Sequence, residues 1–563
     1  MKVSDYIAAT LKAAGIDTVF GFQGSNVTHM INSIASHEGI TYIQNHHEQA
    51  SAFAACSYSE TTAKLGCALS SSGPGAINMI GGIANAWFDS TPVVFLTGQL
   101  NSKTLRADSR HRQHGFQEFD IVSTAKQFTK YAVTVLEPIE IRYHLEKAIH
   151  YATEGRMGGV LLDIPHNVQT AEIDIASLDG YVSKEEKLKP IDEQSIKDFL
   201  RLLKISKKPL VLVGGGAKEL RGSTAFHELL DRFDLPLVAS LRGLDVIPHT
   251  SKHFFGFIGS YGNRYANMAV SNCDLLIVLG SRLDMRQVGE FPEEFAKDAA
   301  VIHVDIDSDE LSHNILPDIA INNRCSEFVE KVLKATKGMS KKNPQWTNSL
   351  SELKKKYPIY SVDDPKTLPN EIIYAASRFF KDSDIITGDV GQNQMWTAQS
   401  VYLRDSMRLV NSAGLGSMGF SLPAAIGAAL GSKGSKVLCI SGDGGIQMNI
   451  QELATVRRHN LPIKIMVMNN KSLGLIRTYQ NIVFGNAIGS VDGFGSPDYR
   501  LLAEAYGINY AAVSSAEDIL KLEAVFRDEE PLLVEVEMSA DTEVHPEPAY
   551  MMPVHIQSPP VEG

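Results

Sequence analysis

Residues 436–470 read KVLCISGDGGIQMNIQELATVRRHNLPIKIMVMNN, and this stretch leaves few folds open. An apolar strand over Lys436–Ile440 runs into a Gly-flanked acid, Asp443. A helical stretch follows, and a second apolar strand over Pro462–Met468 ends on Asn469-Asn470. Strand, turn, helix and strand in that order form a parallel crossover, so both polar ends lie at the carboxyl edge of neighbouring strands. Open α/β sheets bind their ligands at that edge. Asp443 and Asn470 are 27 positions apart and present one anionic and one neutral hard oxygen. Such a pair suits Mg²⁺ bound together with a diphosphate better than a metal enclosed by protein alone.

The rest of the chain alternates short apolar strands with helical stretches, the pattern of parallel α/β sheets. Its 563 residues exceed one core. Polar stretches at residues 170–192 and 337–346 divide it into three blocks, residues 1–168, 190–335 and 355–540, before a Pro-rich tail over 541–563. The expected fold is therefore α/β with three doubly wound parallel-sheet domains, the first and third being two copies of one design. A net charge of −12 argues against a nucleic-acid partner. No apolar run is long enough to span a membrane. Five scattered cysteines without CxxC spacing read as buried free thiols in a reducing cytoplasm.

The GDG and NN pair at this spacing resembles the diphosphate motif of thiamine-diphosphate (ThDP) enzymes. Asp443, Asn470 and Ser472 fall on the metal positions, with Gly444 and Gly445 against the cofactor. In the first block, ITYIQNHHEQASAFAA resembles the family's pyrimidine-domain signature and puts Glu48 on its catalytic acid, which hydrogen-bonds the pyrimidine ring. NSAGLGSMGFSLPAAIGAAL is similar to the family's wedge segment. The resemblance implies that Met418 bends the cofactor and that the Gly416 carbonyl faces its amino group. GDVGQNQMW resembles the segment that meets the diphosphate through Val390, Gly391, Gln392 and Asn393.

SSGPGAIN, AWFDSTPVVFLTGQ, GFQEFDIV, QMNIQELAT and SLGLIRTYQ are similar to acetohydroxyacid (acetolactate) synthases and to synthase-like carboligases, with Gln117 lining the site. The middle block adds LVLVGGGA, SLRGL, FIGSYGNRYAN, LGSRLDMRQ and HVDID, which resemble the synthases' flavin domain. By that resemblance FAD, as a largely non-redox ligand, meets Gly214, Gly215, Gly216, Ser240, Leu241, Gly259, Arg282, Asp305 and Ile306. Arg286 pairs with the carboxylate of a 2-keto acid acceptor.

The departures cluster on the acceptor side. Gly21-Phe22-Gln23-Gly24-Ser25-Asn26 replaces a Pro–Gly turn, Met285 replaces an Asp, and Tyr479 stands where the synthases select the acceptor with Trp. Asn323-Arg324 replaces a Gly-Asp pair near the flavin adenine, and Ala107–Gly115 is rich in Arg and His. The expected activity is decarboxylation of pyruvate and transfer of its two-carbon unit to a keto acceptor. A keto-sugar nucleotide as acceptor and a pyruvate oxidase are the alternatives. In the family, Glu48 and Asp443 of one chain serve different sites across a two-fold axis, which implies a homodimer or homotetramer. The tail from Glu543 is expected to order over the pocket.

Overall fold

Apolar runs such as Leu275–Leu279 and Pro209–Val213 are buried along their whole length, because helices cover both faces of the sheet they enter. A computed structural model describes residues 1–105, 110–183, 188–361 and 364–560. Its strands form three six-stranded sheets, and every neighbouring pair within them is parallel. This is the expected fold class.

The first sheet runs Thr41–Gln44, Thr18–Gly21, Gly66–Ser70, Val93–Gln99, Gly159–Pro165, Tyr131–Thr134 from edge to edge. The third repeats that order with Arg408–Asn411, Ile385–Gly388, Val437–Gly442, Ile463–Asn469, Leu532–Glu537, Asn509–Val513. The central sheet differs: Ile319–Asn322, Ala300–Asp305, Leu275–Leu279, Pro209–Val213, Leu237–Ala239, Phe254–Phe257. Read in chain order this is 3-2-1-4-5-6, the doubly wound dinucleotide-binding arrangement. The strand ends that the sequence places at Ile440 and Met468 fall at Gly442 and Asn469, a shift within the usual fraying of element ends.

Two of the junctions between the sheets bear on the sites. Helix Glu48–Thr62 of the first domain packs on helix Ser421–Gly431 of the third through small residues. A Cβ on Gly427 would stand 2.0 Å from the Ala54 carbonyl oxygen, so the two backbones touch. The buried Glu452 carboxylate extends this contact by accepting from Asn45 Nδ2 at 3.0 Å and His46 N at 2.8 Å. The second junction joins all three domains at Arg242. Its guanidinium pairs with Glu60 at 2.8 Å and donates to the carbonyls of Asp89 and Asn411, each at 3.2 Å. Lys218 adds a second cation on Glu60 at 3.2 Å. Burial opposes the Glu60 charge, but Arg242 and Lys218 outweigh it and hold the carboxyl below its ordinary value.

Helix Pro344–Lys356, which begins inside the polar stretch at residues 337–346, packs on the central sheet, and Trp346 donates its ring N–H to the Pro209 carbonyl at 3.0 Å. The tail is laid across the central and third domains. Trp396 Nε1 donates to the Glu543 carbonyl at 3.3 Å, Asn267 Nδ2 to Val554 at 3.2 Å and Gln557 Nε2 to Gly262 at 2.9 Å. A short antiparallel ladder, Glu547–Pro548 with Gln557–Ser558, folds it back on itself. All five cysteines are buried and free. Among the described residues no helix is long and apolar enough to cross a membrane.

Glu60→Ala strands two buried cations and should cost about 3–5 kcal/mol, read as a lower urea midpoint. Because the folded carboxyl lies below its ordinary 4.5, its contribution is present at neutral pH and is lost as pH falls through the depressed value. The variant should therefore lack that part of the wild-type loss of stability in acid. An unchanged midpoint and acid limb would contradict the junction's role.

Candidate functional site

In the third sheet the strand order reverses between Ile385–Gly388 and Val437–Gly442, and a cavity of about 140 Å³ opens there. Val390, Gly391, Gln392 and Asn393 enter it from the turn after the first of these strands. Asp443, Gly444 and Gly445 enter from the turn after the second. Asn470 and Ser472 follow the next strand, Ile463–Asn469, and Met418 reaches in from the turn before helix Ser421–Gly431. The structure thus gathers ten of the residues expected from sequence around one space. Gly391 turns with φ +138°, a conformation that favours glycine. Gly416 (φ +71°) sits two residues before Met418 and does not line the cavity.

The polar groups here are incompletely satisfied, which is unusual for buried atoms. Asn393 is buried, and neither its Nδ2 nor its Oδ1 has a protein partner; the Ser472 hydroxyl is in the same position. Asp443 accepts from the Ser472 backbone N–H at 3.2 Å and from Ser496 Oγ at 3.3 Å. Burial pushes its carboxyl up to about 6, against the pull of these donors. Asn470 donates Nδ2 to Gln392 Oε1 at 2.8 Å, which turns its own carbonyl oxygen away from that bond. One carboxylate and one amide oxygen fit a hard cation that completes its shell with phosphate oxygens. Among the described residues no cluster of three or more His, Cys, Asp or Glu side chains is fit to enclose a metal alone.

Glu48 opens helix Glu48–Thr62 at the end of strand Thr41–Gln44 and is buried. Its Oε2 accepts from Asn78 Nδ2 at 3.0 Å, and a Cβ on Gly75 would stand 3.0 Å from its Oε1. Gln117, at φ +64°, faces the same turn, with its carbonyl 2.8 Å from where a Gly73 Cβ would be. Both touch the turn after Gly66–Ser70, one of the two strands that flank the first sheet's reversal, and neither lines the third domain's cavity within one chain.

A second cavity, of about 450 Å³, opens where the central sheet reverses between Pro209–Val213 and Leu275–Leu279. Gly215, Gly216, Ser240, Leu241, Arg282, Asp305 and Ile306 line it, each at or just beyond a strand's carboxyl end. Gly214 and Gly259 stand behind the wall. A Cβ on Gly214 would meet the Gly280 carbonyl at 2.2 Å, and one on Gly259 the Arg286 carbonyl at 2.5 Å. Burial raises Asp305 to about 6. Phe88 and Arg156 of the first domain and Met395 of the third complete the walls, and Asn323 and Arg324 line it too. Arg286 lines this cavity beside the Met395 sulfur at 3.6 Å. Tyr479 does not join it: it lies 56% exposed on helix Gly474–Phe484 and lines neither cavity. Of the Arg/His-rich stretch, residues 107–109 lie outside the described residues, while 110–114 are exposed.

Three groups at these sites escaped the sequence reading. Asp389 stands immediately after strand Ile385–Gly388, a position that could have drawn attention to it. Trp396 lines the smaller cavity one helical turn beyond Gln392. The Glu60–Arg242 pair joins residues 182 apart and has no local signal.

Three family models match the chain: the N-terminal TPP binding domain of thiamine pyrophosphate enzymes over residues 1–124, their central domain over 196–332, and their C-terminal TPP binding domain over 389–536. The chain belongs to the thiamine pyrophosphate enzymes. It is 34% identical to the acetolactate synthase large subunit of Lactococcus lactis subsp. lactis, over 100% of this chain and 96% of that one. It is likewise 34% identical to the probable acetolactate synthase large subunit of Methanocaldococcus jannaschii, over 95% and 92%. With isozyme 2 of Escherichia coli (strain K12) the identity is 32% over 97% of both chains. The chain is thus an acetolactate-synthase-like ThDP enzyme. None of these relatives is named an oxidase or a sugar-modifying enzyme, and the keto-sugar and oxidase alternatives have no support.

Asn393→Leu removes two orphaned polar atoms at similar volume. The cofactor-free protein should melt at the same or a higher temperature, while ThDP affinity by calorimetry should fall about 10- to 100-fold. Unaltered affinity would contradict a role for Asn393 in holding the cofactor.

Proposed function

We propose that this enzyme decarboxylates pyruvate and joins the two-carbon unit to a second 2-keto acid, giving an acetolactate-type product. The observation that carries the reading is the set of unpartnered buried polar groups, Asn393 and Ser472, beside Asp443 and Asn470 at the third sheet's reversal. When bound, ThDP supplies the nucleophilic carbon and the electron sink for decarboxylation. The chain's own residues bind, orient and exclude water.

Asp443 and Asn470, with the Ser472 backbone, would hold Mg²⁺, and Asn393 would offer its unpartnered amide to the diphosphate. A divalent charge beside Asp443 favours its ionised form, offsetting the cost of its burial. Met418 is the apolar wedge that bends the cofactor. Glu48 places a carboxyl at the pyrimidine ring, and Asn78 fixes its orientation through the 3.0 Å hydrogen bond. Because Glu48 lies outside the cavity of its own chain, a complete site needs the first domain of a second chain, and a homodimer is the smallest active unit.

The larger cavity takes FAD as a largely non-redox ligand. Its backbone turns at Gly215 and Gly280 follow the two strands flanking the reversal, where a pyrophosphate approaches a dinucleotide fold. Arg286, at the same cavity, offers a planar cationic fork to the carboxylate of the acceptor acid.

Incubation with pyruvate, ThDP, Mg²⁺ and FAD should yield acetolactate as the main product by chromatography. Turnover that accumulates only acetaldehyde, or that requires electron transfer out of the flavin, would contradict the carboligase reading. Glu48→Gln should lower the rate by about 10²–10⁴-fold with ThDP still bound, and a near-normal rate would remove its assigned role.

A further inference from the structure

Asp389 carries an arrangement that the reading above does not use. It follows strand Ile385–Gly388, is 1% exposed, and makes no ion pair with Lys, Arg or His among the described residues. A buried carboxylate without a cation is costly unless hydrogen bonds surround it. Here donors come from three separate segments. Oδ1 accepts from Val390 N at 2.8 Å and Gly419 N at 2.9 Å. Oδ2 accepts from Ser421 N at 3.2 Å, Ser421 Oγ at 2.9 Å and Ser441 Oγ at 3.3 Å. A fourth approach is steric: a Cβ on Gly445 would lie 2.8 Å from the Asp389 carboxyl carbon, so the turn after Asp443 rests directly on it.

These segments are the ones that frame the smaller cavity: the diphosphate turn at Val390, the Met418 turn, and the strand and turn at Ser441–Gly445. The Met418 turn is the one least able to hold itself. Gly416 and Gly419 flank Met418 in the left-handed region, at φ +71° and +79°, and glycines there leave the turn many alternative conformations. Its shape is set by what grips it from outside. Ser412 Oγ holds the Ser417 N–H at 2.9 Å, Asn449 Nδ2 holds the Gly419 carbonyl at 2.8 Å, and Asp389 holds the N–H groups of Gly419 and Ser421.

The geometry points to Asp389 as a positioning residue that fixes the Met418 wedge relative to the diphosphate turn and so sets the bend of the bound cofactor. Its two oxygens hold the wedge turn and the diphosphate turn in one rigid frame. Asparagine cannot replace it. Whichever way the amide turns, its NH₂ faces either the Val390 and Gly419 N–H pair or the Ser421 N–H, and donors oppose donors. The inference rests on Met418 acting as the wedge, and the experiment separates the two.

The test measures two quantities on the same samples: Mg²⁺-dependent ThDP affinity by calorimetry, and the rate of deuterium exchange at C2 of the bound cofactor by quenched-flow NMR. Exchange requires the bend, whereas affinity is dominated by the diphosphate. Asp389→Asn should slow exchange on the order of 100-fold while affinity changes by less than about tenfold. Met418→Ala should do the same, and the double variant should be no slower than the worse single variant, because both act through one contact. If Asp389→Asn fails to fold, Ser421→Ala removes one of the Asp389 bonds, together with a long contact from Cys439 Sγ at 3.6 Å, and should slow exchange on the order of tenfold.

Wild-type exchange in Asp389→Asn, or in Ser421→Ala where it is the variant that folds, would overturn the inference. So would multiplicative losses in the double variant, or affinity and exchange falling together. Wild-type exchange in Met418→Ala would show instead that the wedge reading itself fails, and this inference with it.

Discussion

A parallel sheet opens a crevice at the carboxyl ends of two adjacent strands whose onward connections leave on opposite faces of the sheet. No helix can fill that gap, and backbone N–H groups and short side chains point into it. In this chain the constraint operates three times. It places the turn that Glu48 and Gln117 touch at the reversal of the first sheet, the larger cavity at that of the second, and Asp443 with Asn393 at that of the third. The cavities follow from topology, and the residues in them determine which ligand they take.

Three such sheets act together only if their edges are held in register. The contact of Gly427 against the Ala54 carbonyl joins first and third domains through bare backbone, where any larger side chain would push them apart. Arg242 joins all three, with Glu60, the Asp89 carbonyl and the Asn411 carbonyl around one guanidinium. That junction is also part of the wall of the larger cavity, so the residues that join the domains also shape that space. A buried ion pair adds little net stability over apolar packing, but its geometry is unforgiving. Orientation between domains is therefore what this pair specifies.

Much of this was legible locally. The run from Lys436 to Asn470 contains two strands, a crossover and both Asp443 and Asn470 within one continuous segment, so periodicity and turn chemistry sufficed to place them at the smaller cavity. The glycine turns after the central strands were visible for the same reason, although Gly214 and Gly259 serve close backbone packing behind the cavity rather than lining it. Contacts between distant segments were not legible. Glu60 reads as an ordinary helical acid until Arg242 is brought to it from another domain. Asp389 sits in a recognisable motif, yet its five hydrogen bonds come from segments up to 52 residues away. Tyr479 was matched to an acceptor-selecting position by its neighbours in sequence, while its side chain lies on an exposed helix face in the single chain.

Binding of ThDP at the third sheet's reversal, through a divalent cation that Asp443 and Asn470 would hold, is open to direct measurement. Trp396 lines that cavity and is one of three tryptophans, so it reports occupancy directly. Titrating cofactor-free protein with ThDP while following tryptophan fluorescence is the most direct measurement. Saturable quenching at one ThDP per chain is expected with Mg²⁺ present, abolished by chelation and restored by adding the metal back. No quenching with the metal present, or quenching indifferent to it, would contradict the account.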